Sequence, residues 1–217
     1  MNLGQVNIYR ILHIENIPHI LDNGVTHKDS KNANPDFIGI GDIGLINTRS
    51  SKQVTVDNGD KSNTIETITL GHFIPFYFGV KMPMLYVIQQ GGNFVPKPNK
   101  PENIVYLVCS LQSIANSDLN FYFSDGHATD GFTTFYNSDK ISDLPQIIDW
   151  KAVKTPYWGG QENLKTKRKK QAEFLVGGDI SSQFIVGFGC YNETSKQKLI
   201  NFGIDKTPIK AIPNAYF

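Results

Sequence analysis

Apolar and polar residues alternate in several short runs along the 217-residue chain, which is the pattern of strands buried on one face. Thr69–Gly79 is aromatic and β-prone, but Pro75 lacks a backbone N–H, so we expect an edge, bulged or interrupted strand there. Met84–Gln89 is predicted to be a compact buried strand. The other predicted strands are Val6–His13, Asn120–Ser124, Phe184–Val186 and Ile209–Ile212, and one that begins at Glu173.

Helical periodicity is clearest over Glu102–Asn116, where the apolar residues fall on one broad face. A shorter helix is predicted over Ile17–Asn23, because a capping residue, Asn16, precedes it and Gly24 follows it. Further helices are predicted from Ser142 to about Trp150 and over Glu193–Asn201. Residues 24–59 show little periodicity and predict a long irregular loop. The pattern indicates a mixed α/β fold in a single domain, 1–217.

Composition bounds the class of protein. The formal net charge is +1, so a site for a polyanion must come from local clustering. Cys109 and Cys190 form no metal-ligand pattern, no apolar run is long enough to span a membrane, and the N-terminus lacks the zones of a signal peptide. The 5 histidines offer no ligand-spaced cluster and there is no Rossmann fingerprint. We therefore expect a soluble cytoplasmic protein without a metal.

Cations cluster in one place, which we call the basic run. It consists of Lys165, Lys167, Arg168, Lys169 and Lys170. Mutual repulsion keeps such a run solvated unless a polyanion lies against it, and the nearby Trp158 can stack on unpaired bases. The run indicates a surface for single-stranded nucleic acid beside one carboxylate, Glu173. The alternative is a solvated basic turn before an ordinary strand that carries one surface glutamate.

Three further side chains are candidates for ligand contacts. Arg49 stands among small hydroxyl residues and can hold a phosphate by charge-assisted hydrogen bonds. His13 ends a predicted strand just before a helix, and His127 lies in a polar loop after another strand. Each of them can equally be an ordinary surface residue.

Taken together, the motifs resemble the DarT family of DNA ADP-ribosyltransferase toxins over essentially the whole chain. The matching segments are residues 8–21 (IYRILHIENIPHIL), the 39–50 loop that ends in TRS, residues 74–88, DGHA at 125–128, residues 167–176 (KRKKQAEFLV) and the closing AIPNAYF. The resemblance implies an ADP-ribosyltransferase fold of two central β-sheets with peripheral helices around an NAD cleft. It also implies transfer of one ADP-ribose to a base of single-stranded DNA, typically thymine, and a macrodomain antitoxin as partner.

The resemblance also implies roles for individual residues. Glu173 matches the catalytic glutamate, Arg49 the essential arginine and His13 the NAD-binding histidine. Asn16, Tyr77, Met84 and Tyr86 are placed with His13 at the NAD site, the last three on the nicotinamide side. One departure is that Lys81, Met82 and Pro83 replace the expected Arg-Ser-Pro turn.

Two alternatives stay open. The acceptor can be guanine, RNA or a protein side chain in place of thymine. The chain can also be a non-catalytic module that binds single strands, with Glu173 incidental. Consumption of NAD separates an enzyme from a binding module.

Overall fold

The computed structural model describes residues 2–60, 65–92, 94–95 and 97–217, and ten strands of these residues form one sheet. The strands are β1 (Asn7–His13), β2 (Gln53–Val56), β3 (Glu66–Thr69), β4 (Phe73–Tyr77), β5 (Ile104–Ser110), β6 (Phe121–Ser124), β7 (Phe135–Tyr136), β8 (Glu173–Gly177), β9 (Ile185–Cys190) and β10 (Ile209–Ala211). Their order across the sheet is β10-β9-β5-β1-β4-β8-β6-β7-β2-β3. The strand that begins at Glu173 therefore lies near the middle of the sheet.

Helices surround this sheet, so the expected mixed α/β class is confirmed. The α-helices of the described residues are α1 (Ile17–Asn23), α2 (Ile43–Ser51), α3 (Pro83–Gln90), α4 (Leu111–Ala115), α5 (Leu144–Ile147), α6 (Trp150–Lys154), α7 (Leu164–Lys170) and α8 (Glu193–Asn201).

The sheet is weakly joined between β1 and β4, where Tyr9 and Tyr77 form a single ladder pair within the described residues. By contrast, β1 pairs with β5 over seven residues and β4 pairs with β8 over five. Pro75, in the middle of β4, directs its carbonyl toward β1 but has no N–H to extend the ladder. The two sheets that we expected are therefore two halves of one sheet, and a cleft opens where the halves meet.

Strand β5 occupies Ile104–Ser110, the centre of the segment Glu102–Asn116, so the single helix predicted there was wrong. Val105 and Leu107 belong to the main hydrophobic core, while Ile104 and Tyr106 belong to a second core. A strand that is buried on both faces carries a continuous apolar run, which periodicity alone does not separate from a buried helix. Only the end of the segment, α4, is α-helical, and the first two residues of the segment belong to a 3-10 turn at Pro101–Asn103.

Helix α3 replaces the strand that we predicted over Met84–Gln89, so this prediction was also wrong. Pro83 suits the first helical turn, and the buried Leu85 and Ile88 have the three-residue spacing of a helix face. An apolar run as short as this one fits a buried strand equally well, and the turn around the proline decides the outcome.

Helix α2 lies within the predicted irregular loop. The carboxylate of Asp42 accepts a hydrogen bond from the N–H of Leu45 at 3.0 Å and caps the helix. Ile43 and Ile46 are exposed, so α2 has no apolar face and its sequence gives no helical period. The basic run is also helical, on α7, so the alternative of a basic turn before the strand does not describe its conformation.

The remaining elements agree with the sequence more closely. Ile17–Asn23 and Glu193–Asn201 are helices with the predicted bounds, and β1, β6, β9 and β10 confirm four strands to within a few residues. Thr69–Gly79 is interrupted by a 3-10 turn at Leu70–His72 before β4, whereas Pro75, on which the expected interruption rested, lies within β4. The helix predicted from Ser142 to about Trp150 is α-helical only over α5, and α6 begins where the predicted helix ends.

Candidate active site

Glu173 is the first residue of β8 and is only 1% exposed. Its carboxylate accepts hydrogen bonds from Nη1 of Arg49 at 2.8 and 3.2 Å and from the N–H of Ala128 at 3.1 Å. The backbone N–H of Glu173 donates to Oγ of Ser124 on β6, at 3.2 Å. The carboxylate is thus buried and held by Arg49 and Ala128, while Ser124 holds the backbone of the same residue. The sequence analysis did not assign Ala128 or Ser124 to the site. The one sequence signal for them is the DGHA segment, which ends at Ala128 and directly follows Ser124.

Arg49 reaches Glu173 from the last turn of α2. The end of α2 packs tightly against the 3-10 turn at Leu70–His72, where a Cβ on Gly71 would lie 2.6 Å from the carbonyl oxygen of Ser50. Glycine at this position therefore permits the approach that places the arginine. Nη2 of Arg49 is buried and has no hydrogen-bond partner among the described residues. Nη1 of the guanidinium thus holds Glu173, and Nη2 is left to donate a hydrogen bond to a substrate.

His127 adjoins this pair. Burial lowers the pKa of the His127 imidazole, and the nearby Glu173 carboxylate opposes that shift. Nδ1 of His127 shares a hydrogen bond with Oγ1 of Thr129 at 2.9 Å. The imidazole is therefore neutral at pH 7 and is held by its own loop.

Tyr77 lies opposite Glu173 in the antiparallel pairing of β4 with β8. Burial, and then the charge of Glu173, raises the pKa of the Tyr77 phenol. The phenol stays protonated at any physiological pH, so it can donate a hydrogen bond but cannot act as a base.

A cavity of about 180 Å³ opens between β1 and β4, beside the seam of the sheet. His13, Tyr77 and Met84, which were predicted at the NAD site, all line it. Its other walls include Arg10 and the loop residues Phe37, Ile38, Gly39, Ile40 and Gly41. The structure therefore brings three of the five predicted NAD residues to one cavity.

His13 ends β1, and its Nδ1 accepts a hydrogen bond from the N–H of Glu15 at 3.3 Å. Nδ1 is occupied by this cap, so Nε2 carries the proton and is the nitrogen left for a ligand. Burial lowers the pKa of His13, which favours the neutral imidazole.

Asn16 supports the wall of the cleft. It is 1% exposed, its Nδ2 donates to the carbonyl of Ile38 at 2.9 Å, and its Oδ1 accepts from the N–H of Ile38 at 2.9 Å. Asn16 makes no side-chain cap on α1, contrary to the sequence prediction. The amide therefore fixes the loop that closes the cavity.

Tyr86 lies away from this cavity, although it was predicted on the nicotinamide side. It is 44% exposed and packs edge-on against Trp158 and Phe217, with ring centroids 5.9 and 5.2 Å away. In helix α3 a residue two positions after Met84 points to a different face, so the two side chains separate.

The basic run divides into exposed and paired members on α7. Lys165 and Lys167 are exposed. Arg168 is ion-paired with Asp125 at 3.1 Å, and Lys169 with Asp149 at 2.9 Å. The helix therefore presents fewer free cations than the sequence suggested.

Lys170 is not part of this surface, which corrects its prediction as a DNA contact. It is 1% exposed, and its Nζ donates to the carbonyls of Val153 at 2.8 Å and Thr155 at 3.0 Å. Burial lowers the pKa of Lys170 to about 8. The ammonium ties α7 to the end of α6.

A separate cavity beside α7, of about 600 Å³, connects the basic run to the catalytic side. Lys165, Lys167 and Arg168 line it together with His127 and Phe132. The ammonium of Lys167 lies 5.4 Å from the ring centroid of Trp158. An aromatic ring, exposed cations and the neighbourhood of Glu173 are therefore joined on one surface.

Among the described residues there is no group of three or more His, Cys, Asp or Glu side chains that could hold a metal ion. No helix in the described parts of the chain has the length and apolar character needed to cross a membrane.

Solved structures identify the class of this fold. Thermus sp. 2.9 DarT in complex with ADP-ribosylated ssDNA matches with a TM-score of 0.81 at 25% identity, covering 98% of this chain and 96% of that chain. The same protein in complex with NAD+ matches with a TM-score of 0.76 at 25% identity, covering 98% of each chain. The fold is that of an ADP-ribosyltransferase, as expected.

The chain belongs to the DarT family, whose model, ssDNA thymidine ADP-ribosyltransferase, matches residues 9–217. The DNA ADP-ribosyl transferase of Escherichia coli O127:H6 is 34% identical over 201 residues, covering 92% of this chain and 86% of that protein. A DNA ADP-ribosyl transferase-DNA ADP-ribosyl glycohydrolase fusion protein of Thermosipho africanus is 26% identical over 179 residues, covering 82% of this chain and 40% of the fusion. The resemblance drawn from the motifs is confirmed, and the activity class is NAD-dependent ADP-ribosyl transfer to DNA.

Proposed function

We propose that this chain transfers a single ADP-ribose from NAD+ to a thymine base of single-stranded DNA and releases nicotinamide, with Glu173 and Arg49 at the reacting centre. The observation that carries the proposal is the buried carboxylate of Glu173, held by Arg49 at 2.8 Å beside a cleft and a basic surface. The family description and the Thermus complexes with NAD+ and with ADP-ribosylated DNA support the two substrates.

In this proposal Glu173 stabilises the positive charge that develops on the ribose of NAD+. When the bond between C1′ of the ribose and the nicotinamide nitrogen breaks, positive charge grows on the ribose ring. A carboxylate that is already fixed by Arg49 and the N–H of Ala128 needs no reorganisation as that charge develops. Its oxygens can accept a hydrogen bond from a ribose hydroxyl, which also orients the ring.

The proton balance follows from the acceptor. A thymine base in DNA carries its ring proton on N3, because N1 is bonded to the deoxyribose. The new bond joins N3 to C1′, nicotinamide departs as a neutral molecule, and the N3 proton passes to Glu173 and then to solvent. Arg49, with one buried free donor, lowers the proton affinity of the base by donating to it.

NAD+ is assigned to the cleft at the seam of the sheet. His13, Tyr77 and Met84 line this cavity, and Asn16 holds its loop wall through Ile38. Tyr77 is protonated and adjacent to Glu173, which makes it a donor to the nicotinamide ribose or its leaving group.

Single-stranded DNA is assigned to the exposed part of the basic run. Lys165 and Lys167 supply charge for phosphates, and Trp158 supplies a ring on which a base can stack. Arg168 and Lys169 are also assigned to this DNA surface, although each is ion-paired with an aspartate. Lys170 is buried and is not assigned to it.

A reversing partner completes the proposal. The Thermosipho fusion joins a transferase to a DNA ADP-ribosyl glycohydrolase, and a macrodomain antitoxin of that activity would protect the host of this chain. We also propose that residues 1–217 act as one domain in the cytoplasm, in keeping with the shared sheet and the two free cysteines.

The test is mass spectrometry of short single-stranded DNA oligonucleotides after incubation with NAD+ and wild-type protein or Glu173→Ala. The expected result is a mass gain of one ADP-ribose with wild-type protein alone, located on thymine by fragmentation. NAD+ consumption without DNA modification would reject the acceptor, and intact NAD+ would favour a binding module.

A further inference from the structure

Arg10 is a half-buried cation to which the reaction described above assigns no role. It lies on β1 at the seam of the sheet, and its Nη1 donates to the carbonyl of Pro75 at 2.9 Å. No acidic side chain of the described residues forms an ion pair with it. Its Nε is buried and has no hydrogen-bond partner in the described chain.

A guanidinium whose Nε is buried without a partner is costly, because a charged donor removed from water needs an acceptor or an opposite charge. Burial and the neighbouring Arg49 lower the pKa of Arg10 to about 10, so it still carries its charge at neutral pH. The charge of Arg49 is compensated by Glu173, whereas that of Arg10 is not. The cleft therefore holds one positive charge in excess, which suits an anion.

Two cavities meet at this side chain. The first, of about 180 Å³, contains Tyr77 and Met84 on the side of Glu173. The second, of about 210 Å³, is lined by Asn16, His19 and His27. Arg10, Leu12 and Phe37 line both, and Arg10 is the charged residue of the three.

We propose that Arg10 binds the diphosphate of NAD+ and so fixes the dinucleotide across the two cavities. This inference rests on NAD+ being the substrate, as proposed above. A dinucleotide has two nucleosides joined by a diphosphate, so a molecule that fills both cavities places its anionic link at their junction. The Nε of the guanidinium is the unused donor there, and a fork of two nitrogens matches phosphate oxygens.

A purely structural role gives a different expectation. Arg10 can instead join β1 to β4 through its hydrogen bond to the carbonyl of Pro75, at the position where β4 lacks an N–H. If the role is only structural, loss of Arg10 would weaken the binding of every ligand of the cleft alike. If Arg10 binds the diphosphate, its loss would weaken only the binding of ligands that carry phosphate. The comparison of ADP with adenosine separates the two roles.

The experiment measures dissociation constants of ADP, ADP-ribose and adenosine for wild-type protein, Arg10→Gln and Arg10→Lys. Lys140→Gln is the control for removal of one cation, since the Lys140 side chain is 42% exposed and pairs with Asp143 away from the cleft residues. In Arg10→Gln we expect the preference for ADP over adenosine to fall by about 10-fold or more, with adenosine changed little. Arg10→Lys should keep part of the preference.

A measurement on wild-type protein covers the case in which Arg10→Gln does not fold. The chain has three arginines, Arg10, Arg49 and Arg168, so the Nε–H signals in a ¹⁵N NMR spectrum are few and are assignable with Arg10→Lys. The Arg10 signal should move on addition of ADP and stay in place with adenosine. An unchanged signal with ADP, or an unchanged ADP preference in Arg10→Gln, overturns the proposal. If ADP binding depends on Arg10 while DNA stays unmodified, the diphosphate assignment stands and the acceptor assignment fails.

Discussion

Arg49 and Glu173 are 124 residues apart in the chain, and their side chains meet at 2.8 Å in the interior of the protein. Their side chains are 16% and 2% exposed, so the pair is largely removed from water. A buried pair of this kind is maintained by its geometry, and removal of either member leaves the other charge without compensation. Both the chemistry of the site and its stability therefore depend on this ion pair.

Glu173→Gln should lower turnover by about 100-fold or more, because the amide is neutral and cannot stabilise positive charge on the ribose. The dissociation constant for NAD+ should change little, since the volume of the side chain is kept. Steady-state kinetics and calorimetric NAD+ titration check the two expectations. Glu193→Gln, on α8, is a matched control because its side chain is 78% exposed. Unchanged turnover in Glu173→Gln would remove the glutamate from the mechanism.

Arg49→Met should destabilise the protein by about 3–5 kcal/mol, because Glu173 is left as a buried and unpaired carboxylate. The double variant Arg49→Met with Glu173→Gln should recover part of that stability, since no net charge is then buried. Urea denaturation of the two single variants and the double variant measures the coupling. If the two destabilisations simply add, the ion pair contributes nothing to stability.

Replacing both Lys165 and Lys167 with glutamine should weaken binding to single-stranded DNA of every sequence. The slope of log K against log salt should become shallower by about 0.7 for each phosphate that the variant no longer neutralises. Fluorescence anisotropy at several salt concentrations measures it. Lys206→Gln with Lys210→Gln removes the same charge from two exposed positions outside the basic run and should leave the slope unchanged. Equal slopes in the two double variants would mean that the basic run only faces solvent.

Asp179→Asn should raise the KM for NAD+ by about 10-fold and change kcat less than about threefold, on the scale of charge-assisted hydrogen bonds. The carboxylate of Asp179 accepts hydrogen bonds from the N–H of His27 at 2.8 Å and from the hydroxyl of Ser30 at 2.5 Å, which anchors the loop beside the second cavity. Ser30→Ala should shift KM in the same direction. A fall in kcat at constant KM would contradict a role in positioning the loop.

Lys170 gives stability a pH dependence at alkaline pH. Burial lowers its pKa from 10.5 to about 8, so between these values the unfolded chain binds more protons than the folded one. The free energy of unfolding should therefore rise with pH from about 8 to about 10.5. Denaturation across this range should show the rise in wild-type protein and a smaller one in Lys170→Met, with Lys165→Met as the exposed control. Parallel curves for wild type and Lys170→Met would refute the assignment.

Local sequence patterns determined several parts of this protein. The signals that bound α1 and α8 lie close to these helices in sequence: Pro18 and Gly24 bound α1, and the Asn192 cap starts α8. The alternating strands β1 and β6 and the family motifs are equally local, and they were sufficient for the fold class and the family. Glu173 at the start of a strand is part of the same local pattern.

Tertiary structure decided the rest, because those features depend on neighbours that are distant in the chain. Burial on both faces made β5 a strand despite its helix-like apolar run. Lys170 belongs to the basic run by composition, but the carbonyls of Val153 and Thr155 bring it into the interior. Arg10 carries no local signal at all, and it becomes notable only where Pro75 opens the sheet and two cavities meet. A sequence specifies which side chains are present, whereas packing decides which of their charges are paired, buried or left free for a ligand.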